Sequence, residues 1–234
     1  MKPLRLLVVD DHSLFRRGLV ALLAQDERFD VVSQAADSTE AVRCARRDQP
    51  DLILLDNHMP GVRGVDAIAG LKEAAPDTHI LMLTVSENEA DLLAALQAGA
   101  EGYLLKTIES DDLSASILRV MAGEPVISPQ MMAKLVTAVR QQPGAAPVAA
   151  AAAAAEAPAP TDAPPDSLSG REREILLLIA RGHSNKLIAR ELDITASTVK
   201  IHLAVIFTCF GVNNRTQVLA AVARRGLSLA RRMR

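Results

Sequence analysis

Five short apolar runs give the first half of this chain a repeating pattern. They lie near residues 4–9, 30–34, 51–55, 79–84 and 101–105. The segments that follow them have amphipathic helical patterns and lie near residues 12–25, 38–47, 64–74, 87–98 and 109–121. Short apolar runs that alternate with helices are typical of buried parallel strands. Five such units in a row predict an α/β fold with a doubly wound, five-stranded parallel sheet.

Polar residues stand at the ends of four of these runs. Asp10 and Asp11 follow the first run and Asp56 follows the third. Thr84 ends the fourth run, and Lys106 follows the fifth. In an open α/β sheet, ligands bind beyond the carboxyl ends of the strands. Three carboxylates, a hydroxyl and an ammonium group are therefore predicted to meet at one edge.

This set of groups is suited to a divalent cation and a phosphoryl group. Mg²⁺ is usually bound by one or two carboxylates together with water and phosphate oxygens. A carboxylate such as that of Asp56 can also act as a nucleophile and form an aspartyl phosphate. The alternative is that acidic residues merely terminate strands, because turns favour Asp. That alternative requires the same coincidence at several strand ends.

The net charge of −2 hides a strong asymmetry along the chain. Residues 1–165 contain 14 Lys and Arg against 23 Asp and Glu, a net charge of −9. Residues 166–234 contain 12 against 5, a net charge of +7. A basic segment joined to an acidic one favours a nucleic-acid partner for the basic segment.

The cysteines and the apolar stretches indicate the cellular context. Cys44 and Cys209 have no metal-binding or redox spacing, so two reduced thiols are expected rather than a disulfide. The chain reaches Asp10 after one short apolar run, which is unlike a signal peptide. No apolar stretch approaches the roughly 20 residues of a membrane-spanning helix. These features predict a soluble, cytoplasmic protein without a membrane partner.

The composition changes sharply beyond the last predicted α/β unit. Residues 142–165 contain six prolines around an alanine run at 149–155, which is typical of a linker. Before that segment, Ser128 and Pro129 predict the start of a helix near 129–140. We therefore predict a first domain at 1–122, a linker region at 123–165 and a second domain at 166–234.

The second domain is predicted to be all helix. Ser169 and Glu172 have the spacing of a capping box. Thr195 is predicted to cap a long helix that ends at Gly211. The four predicted helices lie near 170–181, 184–191, 195–210 and 214–225. The second and third of them have the spacing of a helix–turn–helix motif.

The third of these helices has two predicted faces. Val199, Leu203, Ile206 and Phe210 recur at helical intervals and are predicted to be buried. The opposite face is predicted to be exposed, and it consists of Ser197, Lys200, Ile201, Ala204 and Thr208.

In a helix–turn–helix motif, the second helix enters the major groove of DNA. Lys200 is predicted to bond a guanine edge or a phosphate, and Ile201 and Ala204 to meet thymine methyl groups. Residues at the start of the preceding helix suit phosphate contacts. The complete set of predicted DNA contacts is Asn185, Lys186, Thr195, Ser197, Thr198, Lys200, Ile201 and Ala204.

Residues 4–121 resemble the receiver domain of two-component response regulators, which has a flavodoxin-like topology. The matching motifs are Val8-Val9-Asp10-Asp11-His12, Leu55-Asp56-Asn57-His58-Met59-Pro60-Gly61, Thr84 and Gly102-Tyr103-Leu104-Leu105-Lys106. Many receivers have Pro after the Lys, whereas this chain has Thr107.

The resemblance to receivers implies a role for each matching residue. Asp56 is the implied phosphoacceptor, and Thr84 and Lys106 contact the phosphoryl group. Tyr103 is the implied aromatic switch. The implied cofactor is Mg²⁺, and its implied ligands are Asp10, Asp11, Asp56 and the backbone carbonyl of His58.

Residues 167–226 resemble the DNA-binding domain of the LuxR/NarL type. The matching runs are Leu168-Ser169-Gly170-Arg171-Glu172, Ser184-Asn185-Lys186-Leu187-Ile188-Ala189, Ile194-Thr195-Ala196-Ser197-Thr198-Val199-Lys200 and Gly211-Val212-Asn213-Asn214-Arg215-Thr216-Gln217. The resemblance implies binding to double-stranded DNA as a homodimer. This chain lacks the basic residues that the family often has at Ala204, Thr208 and Cys209. Weaker non-specific DNA binding is therefore expected.

Together the resemblances imply a response regulator of the NarL/FixJ family, which is not an enzyme. A sensor histidine kinase is the implied phosphoryl donor, and phosphorylation is implied to release and dimerise the helix–turn–helix domain. NarL-like members imply a response to nitrate or nitrite. Two alternatives remain. A phosphatase of the haloacid dehalogenase type would need a second Asp where this chain has His58, and an interaction module would use the apolar helix face for a protein.

Overall fold

The computed structural model describes residues 2–141, 168–212 and 214–224, with the backbone alone at 138–141 and 223–224. The chain divides into two compact units, Met1–Met131 and Met132–Arg234. The predicted proline- and alanine-rich linker segment at 142–165 lies outside the described residues.

The first unit alternates strands and helices, as the apolar runs predict. Its strands are β1 (Leu4–Val9), β2 (Phe29–Ala35), β3 (Leu52–Leu55), β4 (His79–Thr84), β5 (Gly102–Leu105) and β6 (Val126–Ile127). Its helices are α1 (Ser13–Leu23), α2 (Ser38–Asp48), α3 (Gly64–Ala74), α4 (Glu89–Ala98) and α5 (Ser110–Met121). The predicted helix near 129–140 is present as α6 (Pro129–Gln141).

The sheet has the order β2-β1-β3-β4-β5-β6, and all its neighbouring strands are parallel. All four residues of β3 and of β5 are buried, as expected for strands that are covered by helices on both faces. The parallel α/β fold is therefore confirmed.

The predicted number of strands was wrong, because the sheet has six strands rather than five. The additional strand, β6, has only two residues, which pair with Gly102 and Tyr103 of β5. Val126 is buried against the core, and the N–H of Ser128 donates to the Tyr103 carbonyl at 3.0 Å. A run of two apolar residues after Pro125 is too short to give a periodic signal, so only the pairing identifies it as a strand.

Glycine at position 64 permits an unusually close approach of α3 to the sheet. A Cβ atom at this position would lie 2.0 Å from the carbonyl oxygen of Asp56 and 2.9 Å from Cα of Asn57. The N–H of Gly64 donates to the Asn57 carbonyl at 3.0 Å. The first turn of α3 therefore packs directly on the backbone that follows β3.

The second unit contains four further helices with a core of their own. They are α7 (Gly170–Ala180), α8 (Asn185–Glu191), α9 (Ala196–Phe210) and α10 (Arg215–Arg224). The predicted capping box is present, because the side chains of Ser169 and Glu172 each accept from the other's backbone N–H. Gly211 ends α9 with a φ of 62°, a conformation that glycine adopts at little cost.

No single described helix has the length and hydropathy to cross a membrane. The helices α8 and α9 meet the criterion only as a pair, which is bent by 108°.

Candidate functional site

The predicted acidic residues lie where the strand order of the sheet reverses. β2 and β3 flank β1 on opposite sides, so a crevice opens beyond the carboxyl ends of β1 and β3. Asp10 follows β1 and Asp56 follows β3, and both side chains are almost fully buried. The Asp56 N–H donates to the carbonyl oxygen of Val9 at 2.9 Å, which fixes the two backbones side by side.

Lys106 connects the two buried carboxylates. Its Nζ lies 2.7 Å from Oδ2 of Asp10 and 2.7 Å from Oδ2 of Asp56. Burial lowers the pKa of Lys106, but its contacts with Asp10 and Asp56 outweigh burial, and the pKa is raised overall. The ring of Phe15 lies below the same ammonium group, with its centroid 4.6 Å from Nζ. Lys106 therefore stays charged, and its position is fixed from two sides.

Two carboxylate oxygens of the pocket remain without a hydrogen-bond partner. They are Oδ1 of Asp56 and Oδ1 of Asp11, and both atoms are buried, although Oδ1 of Asp11 lies at ion-pair distance from the His12 ring, 2.7 Å from Nδ1. Ligand atoms of Asp10, Asp11, His12 and Asp56 lie within 4.8 Å of one another. A buried carboxylate oxygen without a partner is unfavourable, so a cation is the natural complement of this pocket. Oxygen donors of this kind fit Mg²⁺, whose implied ligands Asp10, Asp11 and Asp56 are brought together here.

Thr84 and Tyr103 are linked through one residue, Ser86. Thr84 is fully buried, and its Oγ1 accepts from the N–H of Ser86 at 3.1 Å. The hydroxyl of Tyr103 donates to the carbonyl of the same Ser86 at 3.0 Å. Burial raises the pKa of Tyr103 to about 12, so this phenol remains a donor at neutral pH. Sequence reasoning identified both ends of this chain of contacts but missed Ser86.

A second buried network supports the loop that carries Asp56. Asn57 donates from Nδ2 to Asp91 at 3.0 Å, and its Oδ1 accepts from the Val65 N–H at 3.1 Å. Ser86 donates its hydroxyl to the same Asp91 carboxylate oxygen at 2.7 Å. The network ties the loops after β3 and β4 to α4. No sequence signal singled out Asp91, because a helical acidic residue has the pattern of a solvated face.

The two histidines at the edge of the pocket occupy different positions. His58 is exposed, and its Nδ1 lies 3.4 Å from Oγ1 of Thr84. His12 precedes α1, and its Nδ1 lies 2.7 Å from Oδ1 of Asp11. The role of the His58 carbonyl as a metal ligand remains a prediction.

In the second unit, α8 and α9 form the predicted helix–turn–helix. Val199, Leu203, Ile206 and Phe210 are buried in the helical core, as predicted. Thr195 caps α9 by accepting from the N–H of Thr198 at 3.1 Å. Among the predicted DNA contacts, Lys186 and Thr195 are exposed, whereas Asn185, Ser197, Thr198 and Lys200 are partly buried.

The predicted exposure of Ile201 and Ala204 was wrong. Ile201 is 7% exposed and Ala204 is 2% exposed, and Val205 beside them is fully buried. The helix has two apolar faces, because these three residues recur at helical spacing outside the helical core cluster. The physical reason is that apolar side chains favour burial on either face of a helix, so lying opposite the core stripe does not make an apolar residue exposed. Thr208 is exposed, as predicted.

Two family models match the chain and together cover both units. Residues 6–118 match the response regulator receiver domain. Residues 166–222 match the model of bacterial regulatory proteins of the luxR family. The fold and the pocket therefore define a two-component response regulator with a LuxR-type DNA-binding domain.

Whole-length relatives agree with these matches. The nitrate/nitrite response regulator NarL of Escherichia coli K12 is 39% identical over 86% of this chain and 87% of its own. The transcriptional regulatory protein DegU of Brevibacillus brevis is 32% identical over 95% and 94%. A LuxR-family response regulator from Aurantimonas sp. SI85-9A1 has a TM-score of 0.56 at 30% identity, covering 60% of this chain and all of that one. The chain belongs to the NarL/FixJ-type response regulators.

Proposed function

We propose that this chain regulates transcription by binding promoter DNA, under the control of phosphorylation at Asp56. The observation that carries the proposal is the asymmetric environment of that carboxylate. Its Oδ2 is held by Lys106 at 2.7 Å, whereas its Oδ1 is buried and has no partner. The carboxylate is thus positioned by a cation on one oxygen and is not fully hydrogen-bonded, which leaves it able to act as a nucleophile.

The proposed phosphoryl donor is a phosphohistidine of a sensor histidine kinase. A carboxylate oxygen of Asp56 attacks the phosphorus atom, the O–P bond forms as the P–N bond breaks, and the electron pair returns to the imidazole nitrogen. Asp10, Asp11 and Asp56 would hold Mg²⁺, which would supply positive charge that offsets the charge of the phosphoryl oxygens. Lys106 and the Thr84 hydroxyl are placed to contact those oxygens.

The proposed response to phosphorylation passes through Ser86. When a phosphoryl oxygen accepts a hydrogen bond from the Thr84 hydroxyl, the Thr84 side chain moves toward it. The contact between Thr84 Oγ1 and the Ser86 N–H then changes. The Ser86 carbonyl accepts from Tyr103, so the same movement alters the position of the Tyr103 ring. A local charge change of this kind can bias a domain with two states.

The proposed output is release of the DNA-binding helix and dimerisation on DNA. The support is the charge asymmetry of the chain, with a net charge of −9 over residues 1–165 and +7 over residues 166–234, which lets the two parts attract each other. A solved structure of the regulator RcsB is described as two dimers bound to two DNA molecules, although at 23% identity it shows the shared fold alone.

A truncated chain tests this release. Residues 166–234 retain the helical core, so we expect them to bind promoter DNA about 5- to 150-fold more tightly than the unphosphorylated full chain. Full-length protein with Mg²⁺ and acetyl phosphate is expected to approach the affinity of the truncated chain. Equal affinity of the truncated and the unphosphorylated full chain would contradict control by release, and absence of DNA binding by both would favour a protein partner instead.

The salt dependence of DNA binding gives a separate prediction. Thr208 is an exposed polar residue of α9 at a position where the family resemblance implies a basic residue. Replacing Thr208 by Lys is expected to add one phosphate contact. The slope of log K against log salt would then become steeper by about 0.9. Fluorescence anisotropy between low and physiological salt measures this slope, with Gln130→Lys, an exposed position of the first unit, as the charge-matched control. An equal change in both variants would rule out a local contact at Thr208.

The remaining parts of the proposal follow from the family. We propose that the chain acts in the cytoplasm, because phosphoryl transfer from the kinase and the promoter DNA are both located there. We also propose that its role is regulatory rather than enzymatic. Nitrate or nitrite is the proposed stimulus. It is supported by NarL among the relatives, although DegU matches at comparable length.

A further inference from the structure

We propose that Ser128 is a positioning residue that carries the response to phosphorylation from the end of β5 to α6. This inference rests on the phosphorylation of Asp56 in the proposed function, and it adds a second route to the one through Ser86. The route leads from Lys106 through the backbone of Leu105 to the Ser128 hydroxyl, and from there into the first turn of α6.

The first support is that Ser128 is bonded to β5 through both its backbone and its side chain. Its N–H donates to the carbonyl oxygen of Tyr103 at 3.0 Å, and its Oγ accepts from the N–H of Leu105 at 3.0 Å. The residue is 6% exposed, so water competes little for either bond. These two bonds fix Ser128 against the end of the strand.

The second support is the position of Leu105 directly before Lys106. The N–H of Lys106 donates to the carbonyl of Thr84 at 2.8 Å, so the end of β5 is held by β4 on one side and by Ser128 on the other. Nζ of Lys106 lies 2.7 Å from Oδ2 of Asp56. A phosphoryl group on Asp56 places new oxygens beside this ammonium group. Movement of Lys106 toward them shifts the neighbouring N–H that Ser128 holds.

The third support is the close pairing of β6 with β5. A Cβ atom at Gly102 would lie 2.6 Å from the carbonyl oxygen of Val126, which is a backbone atom. The N–H of Val126 also donates to the carbonyl of Glu101 at 3.3 Å. A strand that packs backbone against backbone has little room to move independently of its neighbour. A shift at the end of β5 is therefore followed by β6.

The fourth support is the stiffness of the junction between β6 and α6. Pro129 is the first residue of α6, and its ring fixes its own φ and restricts Ser128 to extended conformations. The N–H of Met131 donates to the Ser128 carbonyl at 2.9 Å, and the Met131 and Leu135 side chains are fully buried. The helix continues beyond Met131, where the first compact unit ends. A displacement of Ser128 is therefore transmitted along α6.

Hydrogen exchange of the full chain tests this route without DNA. The backbone amides of α6 are followed by mass spectrometry with and without acetyl phosphate and Mg²⁺. Phosphorylation of the wild-type protein is expected to change their exchange rates. Ser128→Ala is expected to be phosphorylated at wild-type stoichiometry, because Ser128 supplies no group to the acidic pocket, but to show no change in α6. Its gain in promoter affinity on phosphorylation is expected to fall from about 5- to 150-fold to less than about twofold.

Two variants separate this coupling from a loss of stability. Ser128→Thr keeps the accepting oxygen and is expected to restore both the exchange response and the gain in affinity. Ser116→Ala removes the hydroxyl of another buried serine of the first unit, which lies on α5 and is 7% exposed. It is expected to respond as the wild type does. Urea unfolding of each variant shows whether the first unit is folded.

The failures of the two proposals are distinguishable. Unchanged α6 exchange on phosphorylation of the wild-type protein would overturn the route without any variant. A full response in Ser128→Ala, or equal losses in Ser128→Ala and Ser116→Ala, would overturn it as well. Absence of phosphorylation at Asp56 would overturn the proposed function and this route with it. A phosphorylated wild-type protein whose α6 exchange changes but whose DNA affinity does not would overturn the proposed output alone.

Discussion

Replacing Asp56 by Asn is expected to abolish phosphorylation and with it any effect of a phosphoryl donor on DNA binding. The amide lacks the anionic oxygen that attacks phosphorus, and no other described carboxylate of the pocket combines a bond to Lys106 with an unpartnered buried oxygen. Wild-type protein with donor and Mg²⁺ is expected to bind DNA about 5- to 150-fold more tightly. The variant is expected to bind equally with and without donor.

A matched carboxylate controls for charge. Asp77→Asn removes one negative charge from an exposed position of the same unit and is expected to phosphorylate and respond as the wild type does. The measurements are the mass increase of one phosphoryl group and DNA binding by anisotropy. Phosphorylation of Asp56→Asn at wild-type stoichiometry would assign the acceptor to another residue. A donor effect without phosphorylation would show that control does not pass through Asp56.

Replacing Gly64 by Ala is expected to destabilise the first unit severely. The added Cβ would lie 2.0 Å from the Asp56 carbonyl oxygen, and the clashing atom is backbone that cannot rotate away. Overpacking of this kind costs about 3 kcal/mol, and relaxation of α3 would move the loop that carries Asp56. Both urea stability and the rate of phosphorylation are therefore expected to fall.

Gly70 of the same helix offers the control. A Cβ there has its nearest neighbour at 3.6 Å, on the side chain of Val42, which is ordinary van der Waals contact. Gly70→Ala is expected to stabilise α3 by about 0.5–1 kcal/mol, because alanine is the better helix former. Near-UV circular dichroism of Tyr103, the single tyrosine, follows the first unit during urea unfolding. Equal stability of the Gly64→Ala and wild-type proteins would contradict the close packing of α3.

The α/β order and the site could be predicted because both depend on local patterns. The apolar runs determine the strands, and the parallel direction of those strands brings their polar end residues to one edge. Asp10, Asp56 and Lys106 were predicted in this way, and in the structure Nζ of Lys106 lies 2.7 Å from an oxygen of each carboxylate. The capping box at Ser169 was equally local, because it depends on residues only three positions apart.

Other features required contacts between residues that are distant in sequence. The two-residue β6 exists because β5 offers it a free edge. Ser86 and Asp91 join the site only because the loop after β4 folds against Asn57. Nothing in the run around Gly64 indicates that α3 approaches the Asp56 backbone.

The sequence by itself determined the parallel sheet and the carboxylates at its edge, because periodicity and strand-end chemistry are properties of neighbouring residues. Only the tertiary structure decided which oxygen of Asp56 is held by Lys106 and which is left unpartnered. It also decided that Ile201 and Ala204 are buried. The physical reason is that burial and partner choice depend on what packs against a side chain, and helical periodicity does not distinguish an apolar face that meets DNA from one that meets protein.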